Sequence, residues 1–205
     1  MEQANNIQAT GLEKKEESEL QESQDDSNLV WVDCEFTGLD VSKHRICEMA
    51  VLVTDKDLKV LEEGPNVVIR LSDTDLNNMS DWCKKTFSAN GLLQQIQEAT
   101  VDMEKAQSMV LQFVQKYCPP KRGVLCGNSI WSDKKFLARD MPQFHEYLAH
   151  RIIDVSSFKE VCRRWYPAVY AKAKQAPKPE AHRAMDDIKL SIKELQFYRA
   201  NIFAN

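Results

Sequence analysis

The stretch Leu29 to Asp40 (LVWVDCEFTGLD) constrains this chain more than any other. Leu29, Val30, Trp31 and Val32 read as a buried strand that runs into two carboxylates, Asp33 and Glu35, and breaks at Gly38. Side chains at i and i+2 of a strand share one face, roughly 6.5–7 Å apart along the chain. Like charges at that spacing on an apolar strand repel each other and are costly to desolvate. Two outcomes are open to such a pair. It lies at a strand end and faces water, or it holds divalent cations, because hard ions such as Mg²⁺ and Mn²⁺ take carboxylate oxygens.

The chain is long enough to bury a substantial core: of its 205 residues, 43% are apolar and 28% charged, which suits a single globular domain. No apolar run approaches the roughly 20 residues of a membrane span. Cysteines 34, 47, 83, 118, 126 and 162 show no CxxC or Cys/His pairing, and so read as reduced thiols, not a zinc site or a disulfide frame. The net charge of −4 hides a division: residues 1–28 hold eight acids and two lysines, leaving 25 basic and 23 acidic groups for residues 29–205. A mildly basic domain of this kind suits a ligand with few phosphates, since long polyanions demand several Lys/Arg contacts. Residues 1–28 are expected to be a disordered acidic tail, a solubilising extension, with residues 29–205 as the domain. Lacking arginine and rich in Glu, the tail does not resemble a mitochondrial transit peptide, so the cytosol or nucleus is expected.

Ile46–Thr54 and Val67–Leu71 read as further strands, with turns at 55–57 and at Gly64-Pro65, which suits an antiparallel meander. Leu92, Leu93 and Ile96 share a short helix; Met103, Ala106, Val110, Phe113, Val114 and Tyr117 share a longer one, ended by Cys118-Pro119-Pro120. A short strand at Val124–Cys126 leads into a helix from about Ser132. Another at Ile152–Val155 leads into a helix over Ser156–Trp165, a loop from Pro167 to Pro179, and a last helix from about Ala184 to Arg199. Three antiparallel strands followed by alternating helix and strand predict a three-layer α/β domain with a mixed sheet.

Asp133 lies near a helix start, where Ser132 would cap and an acid suits the dipole. It also shares the face of Phe136, Leu137 and Asp140, which must pack inward, and an acid there needs a partner. In the segment from His182 to Asp187, helix register puts Asp186 in line with Lys189 and Lys193 on a solvated face. Asp187 lies beside the apolar stripe of Ala184, Ile188, Ser191 and Leu195 and should point toward the sheet. His182 follows Pro177 and Pro179 and would lead into that helix.

Asp33-x-Glu35, Asp133 and His182-x-Ala184-x-x-Asp187 resemble, in order and spacing, the DEDDh subgroup of the DnaQ-like 3′→5′ exonucleases. The whole stretch from Trp31 to Asp40, Gly127 to Ser129, Asp133 to Leu137, Ile153 to Ser156, Arg163 to Pro167 and Glu194 to Arg199 resemble the oligoribonuclease family, its animal form most. That resemblance implies a ribonuclease H-like fold and two Mg²⁺ or Mn²⁺ ions on Asp33, Glu35, Asp133 and Asp187, with His182 as general base. It implies short single-stranded RNA as substrate, nucleoside 5′-monophosphates as product, and a homodimer. Leu39 would wedge against the bases and Trp82 stack on one. Ser129, Ser156 and Arg151 would cap a 5′ phosphate, Arg151 arriving from the second subunit. Two departures touch that cap: Phe87 stands where the family has histidine, and His150 where it has tyrosine. A cap with a lost donor opens the same chemistry to longer RNA or short single-stranded DNA. A scaffold that kept the fold without catalysis is the third class, against which the five filled catalytic positions weigh.

Overall fold

The computed structural model describes residues 24–174 and 183–203. Five strands, β1 (Leu29–Phe36), β2 (Ile46–Thr54), β3 (Val60–Val68), β4 (Val124–Gly127) and β5 (Ile152–Asp154), form one sheet in the order β3-β2-β1-β4-β5. The first three pair antiparallel, and β1–β4 and β4–β5 pair parallel. This is the expected mixed sheet. Nine helices lie among the described residues: α1 (Asp73–Asn77), α2 (Asp81–Asn90), α3 (Leu92–Glu98), α4 (Met103–Gln115), α5 (Ile130–Asp140), α6 (Pro142–Tyr147), α7 (Val155–Trp165), α8 (Pro167–Ala173) and α9 (Ala184–Ile202).

Strand alternation sorts the two faces. Val30, Val32 and Cys34 of β1, with Met49, Val51 and Val53 of β2, pack on α4, α5 and α6 through Val110, Phe136 and Phe144. Trp31 of β1, with Ala50 and Leu52 of β2, packs on α7 and α9 through Cys162, Ile188, Leu195 and Tyr198. Asp33 and Glu35 have the parity of Trp31, so they belong to the face that α9 covers. A smaller cluster of Cys47, Met79, Cys83, Phe87, Leu92 and Ile96 ties α2 and α3 to β2.

Several element boundaries differ from the sequence expectation. β3 begins at Val60, not Val67, and Gly64-Pro65 lies inside it, where pairing slips between Ala50↔Asn66 and Leu52↔Glu63. An edge strand tolerates proline at such a bulge. Glycine at 64 is required by packing: a Cβ there would meet the Phe113 ring at 2.4 Å. Pro167 opens α8 instead of a loop, because proline suits the first helical position. The short helices α1 and α2 carry too few apolar residues to show a period; they start at Ser72 and Ser80, whose hydroxyls accept from Asp75 and Cys83 N–H. The described residues begin ahead of Leu29, at Gln24. Asp25 N–H and Asn28 Nδ2 both donate to the Tyr117 carbonyl just past α4, at 3.0 and 2.9 Å, and Asn28 is buried. Residues 1–23 of the expected tail lie outside the described residues.

Candidate active site

β1 delivers Asp33 and Glu35 at its carboxyl end, just before its pairing with β2 shifts between Glu35 and Phe36. α9 delivers Asp187 in its first turn, where the Asp187 N–H donates to the Arg183 carbonyl at 3.0 Å. Carboxylate oxygens of Asp33, Glu35 and Asp187 all lie within 4.8 Å of one another. Asp133, one turn into α5, comes from the opposite layer. It is 5% exposed, and its Oδ1 accepts the Cys34 N–H at 3.0 Å, which binds it to the strand residue between the two β1 acids. Asp133 therefore borders the cluster of three and has the partner that an inward-facing acid requires. Asp186 is exposed as expected, though its neighbour Lys189 pairs with Glu63 at 2.9 Å. α5 starts at Ile130, so Ser132 sits inside the first turn. Ser129 occupies the capping position with φ 52° and no side-chain cap.

The cluster concentrates like charge at a buried site. Burial, then the charges of Asp133, Asp187, Glu35 and Glu48, raise the Asp33 carboxyl well above its ordinary range. Burial, with Glu48, Asp187 and Asp133 adding to it, pushes Glu35 up to about 8, against the pull of Arg183. Burial lifts Asp133 to about 7, opposed by hydrogen bonds from its own amide and that of Cys34. An all-oxygen donor set that resists ionisation by itself fits a hard divalent cation, which would displace the protons. A raised carboxyl pKa gives stability that is full below the unfolded value and lost as pH rises through the folded one. The metal-free protein should therefore melt at progressively lower temperature from about pH 5 to pH 8, as Glu35 and Asp133 ionise. Mg²⁺ should recover far more at pH 8 than at pH 5. Melting curves in EDTA and in Mg²⁺ across that range check this; a metal-free melting point that climbs with pH would contradict it.

The remaining predicted positions divide into two groups. Leu39 (83% exposed), on the bend after β1, and Trp82 (63% exposed), at the start of α2, stand out from segments that the Ser80 N–H to Thr37 carbonyl bond, 2.9 Å, fastens together. Ser129 and Ser156 meet at the ends of β4 and β5. The Ser129 N–H donates to Asp154 Oδ1 and Ser156 Oγ, both at 3.0 Å, and the Ser156 hydroxyl donates to Asn128 Oδ1 at 3.1 Å. His150 and Arg151 are exposed ahead of β5. Through β4, Ile152 is level with Val30, so Arg151 is level with Leu29, four residues or ~13 Å short of Asp33 along the strand direction and two strands away. Within one chain Arg151 is not brought to the acids. Phe87, standing where the family has a histidine, is wholly buried in the cluster of α2 and α3. His182 lies outside the described residues. Sequence reasoning passed over Glu48 and Arg183. Glu48 is cross-strand from Glu35 and fully buried, and Arg183 grips it with Nε and Nη2 at 3.0–3.2 Å. An isolated Glu in the otherwise apolar strand Ile46–Thr54 was the available signal.

A ribonuclease H-like sheet with acids converging at the end of its central strand defines a nuclease, and residues 30–195 match the family model described as Exonuclease. The solved S. pombe Pop2p in its Mg²⁺- and Mn²⁺-bound form shares this fold, with a TM-score of 0.64 at 11% identity, covering 85% of this chain and 84% of that one. Relatives from Mus musculus and Homo sapiens, each named "Oligoribonuclease, mitochondrial", are 53% identical over 175 residues, 85% of this chain and 73% of theirs. The chain belongs to the oligoribonuclease family of 3′→5′ exoribonucleases, and is a hydrolase. Those mitochondrial names overturn the expectation of cytosol or nucleus. That expectation rested on the charge pattern of residues 1–28 alone, and an arginine-poor stretch carries little weight against identity sustained through the domain.

Proposed function

We propose that this protein is a divalent-metal-dependent 3′→5′ exoribonuclease that degrades short single-stranded oligoribonucleotides to nucleoside 5′-monophosphates, and that it acts in mitochondria. The observation that carries this reading is the convergence of Asp33, Glu35 and Asp187 within 4.8 Å on a chain of the oligoribonuclease family. These three, with Asp133 beside them, would hold two Mg²⁺ or Mn²⁺ ions; when bound, such ions acidify the attacking water and neutralise charge on the phosphate. Asp133 holds the Cys34 amide and so keeps the end of β1 in register with α5. His182, two residues ahead of α9 in the sequence, would take the proton from that water, a role that an imidazole suits. Leu39 and Trp82 offer apolar surface to the unstacked bases, and Ser129 and Ser156 offer hydroxyls to a terminal phosphate. Arg151 would reach the site of a second copy in a homodimer, which accords with its distance from the acids of its own chain.

The test is digestion in Mg²⁺ of 5′-labelled RNAs of two, five, ten and twenty nucleotides, with matched DNA. Rapid mononucleotide release from the two-mer, with steep loss at greater length, is the expected result. Comparable rates at all lengths, or on DNA, would replace the substrate assignment with a trimming exonuclease on longer RNA or short DNA. No cleavage in Mg²⁺ or Mn²⁺ would return the chain to the scaffold reading.

A further inference from the structure

We propose that Arg183, clamped on the buried carboxylate of Glu48, is a positioning residue that sets where Asp187 meets Asp33 and Glu35. The proposal rests on the metal-dependent reading above. Glu48 has no exposed surface and projects from β2 on the face shared with Asp33 and Glu35. Arg183 reaches it with Nε and Nη2, and its Nη2 also donates to Gln95 Oε1 at 2.9 Å, so one guanidinium joins β2, α3 and the start of α9. The backbone of the same residue accepts the Asp187 N–H at 3.0 Å. Side chain and carbonyl of Arg183 thus form one rigid link from the strand that pairs with β1 to the acid arriving on α9.

Stability alone gives a weak account of this pair. Buried ion pairs are often no more stabilising than apolar residues of equal volume. A fifth carboxylate, beside Asp33, Glu35, Asp187 and Asp133, also adds to the repulsion there. The geometry points to placement instead: a planar fork on a carboxylate fixes direction as well as distance, and α9 has no side-chain cap to fix its first turn otherwise. Partners one shell out from metal ligands commonly change metal affinity by about 10–100-fold when removed.

Removing Arg183 alone would strand Glu48 in the interior. The informative variant is therefore the pair Glu48→Met with Arg183→Met, which leaves no charge unpaired and keeps the local charge sum unchanged. Mn²⁺ binding to the protein without RNA, followed by the electron paramagnetic resonance of free Mn²⁺, should weaken about 10–100-fold. The Mn²⁺ concentration for half-maximal cleavage should rise in step while KM for RNA at saturating metal stays unchanged. Arg183→Lys, which keeps the charge and loses the fork, should fall between wild type and the pair, and serves alone if the pair does not fold. Wild-type Mn²⁺ affinity in either folded variant overturns the proposal. A wild-type protein that binds no Mn²⁺ and cleaves nothing would instead defeat the nuclease reading itself.

Discussion

Glu35→Gln should lower mononucleotide release on the order of a thousandfold or more, and should also raise the melting temperature of the metal-free protein at pH 8. Both effects come from one atom pair. The Glu35 carboxylate lies within 4.8 Å of the oxygens of Asp33 and Asp187, where its charge would help hold a cation and is otherwise repelled. Glutamine keeps the shape and removes the charge. With the folded pKa at about 8, the wild-type carboxyl loses its stability contribution progressively between its ordinary value near 4.5 and pH 8, whereas the amide loses nothing. In EDTA the variant should therefore fall less steeply with pH than wild type, the gap widening toward pH 8. Melting curves at pH 5, 6, 7 and 8, together with cleavage of a labelled two-mer, check both halves. A variant that cleaves at the wild-type rate, or melts below wild type at pH 8, would show that Glu35 is an ordinary surface acid. Such a trade of stability for activity is what a strained catalytic cluster predicts.

Phe87→His should cost about 2–4 kcal/mol, because it trades a fully buried ring for one with two nitrogens to satisfy in an apolar cluster. For a domain of this size that is a drop of roughly 4–16 °C in melting temperature. The loss should reach the substrate as well. Phe87 and Cys83 anchor α2, and Trp82 stands exposed on the same helix beside Cys83. A loosened α2 would blur the surface on which a base stacks, raising KM for short RNA without altering metal affinity. Calorimetry and the two-mer titration distinguish this from the opposite idea, that histidine at 87 would complete a phosphate cap. In that case the melting point would hold and preference for the two-mer would sharpen.

The sequence made the acids legible because their surroundings are periodic. Asp33 and Glu35 alternate with Val32 and Cys34, and Asp187 rides the stripe of Ala184, Ile188 and Leu195, so strand and helix geometry placed them on inward faces. The same reasoning placed Asp133 beside Phe136 and Leu137. What escaped was set by long-range contacts. Glu48 and Arg183 are separated by 135 positions, and only the folded chain shows that a lone acid in an apolar strand meets the arginine next to a histidine. The burial of Phe87 was hidden for the same reason, since nothing near it in sequence says that its ring packs with Leu92 and Ile96. Bounds slipped where propensity is weak, as in β3 with its internal Gly64-Pro65. Location was misjudged from the composition of residues 1–28 alone.

The acids of the cluster are contributed by the first strand and the last helix, with α9 packed across both β1 and β2. During synthesis Asp33 and Glu35 leave the ribosome early, while Asp187 emerges only after nearly all of the domain has been made. On the metal-dependent reading, a growing chain, or one cut anywhere before α9, would lack Asp187 and with it a complete set of acids.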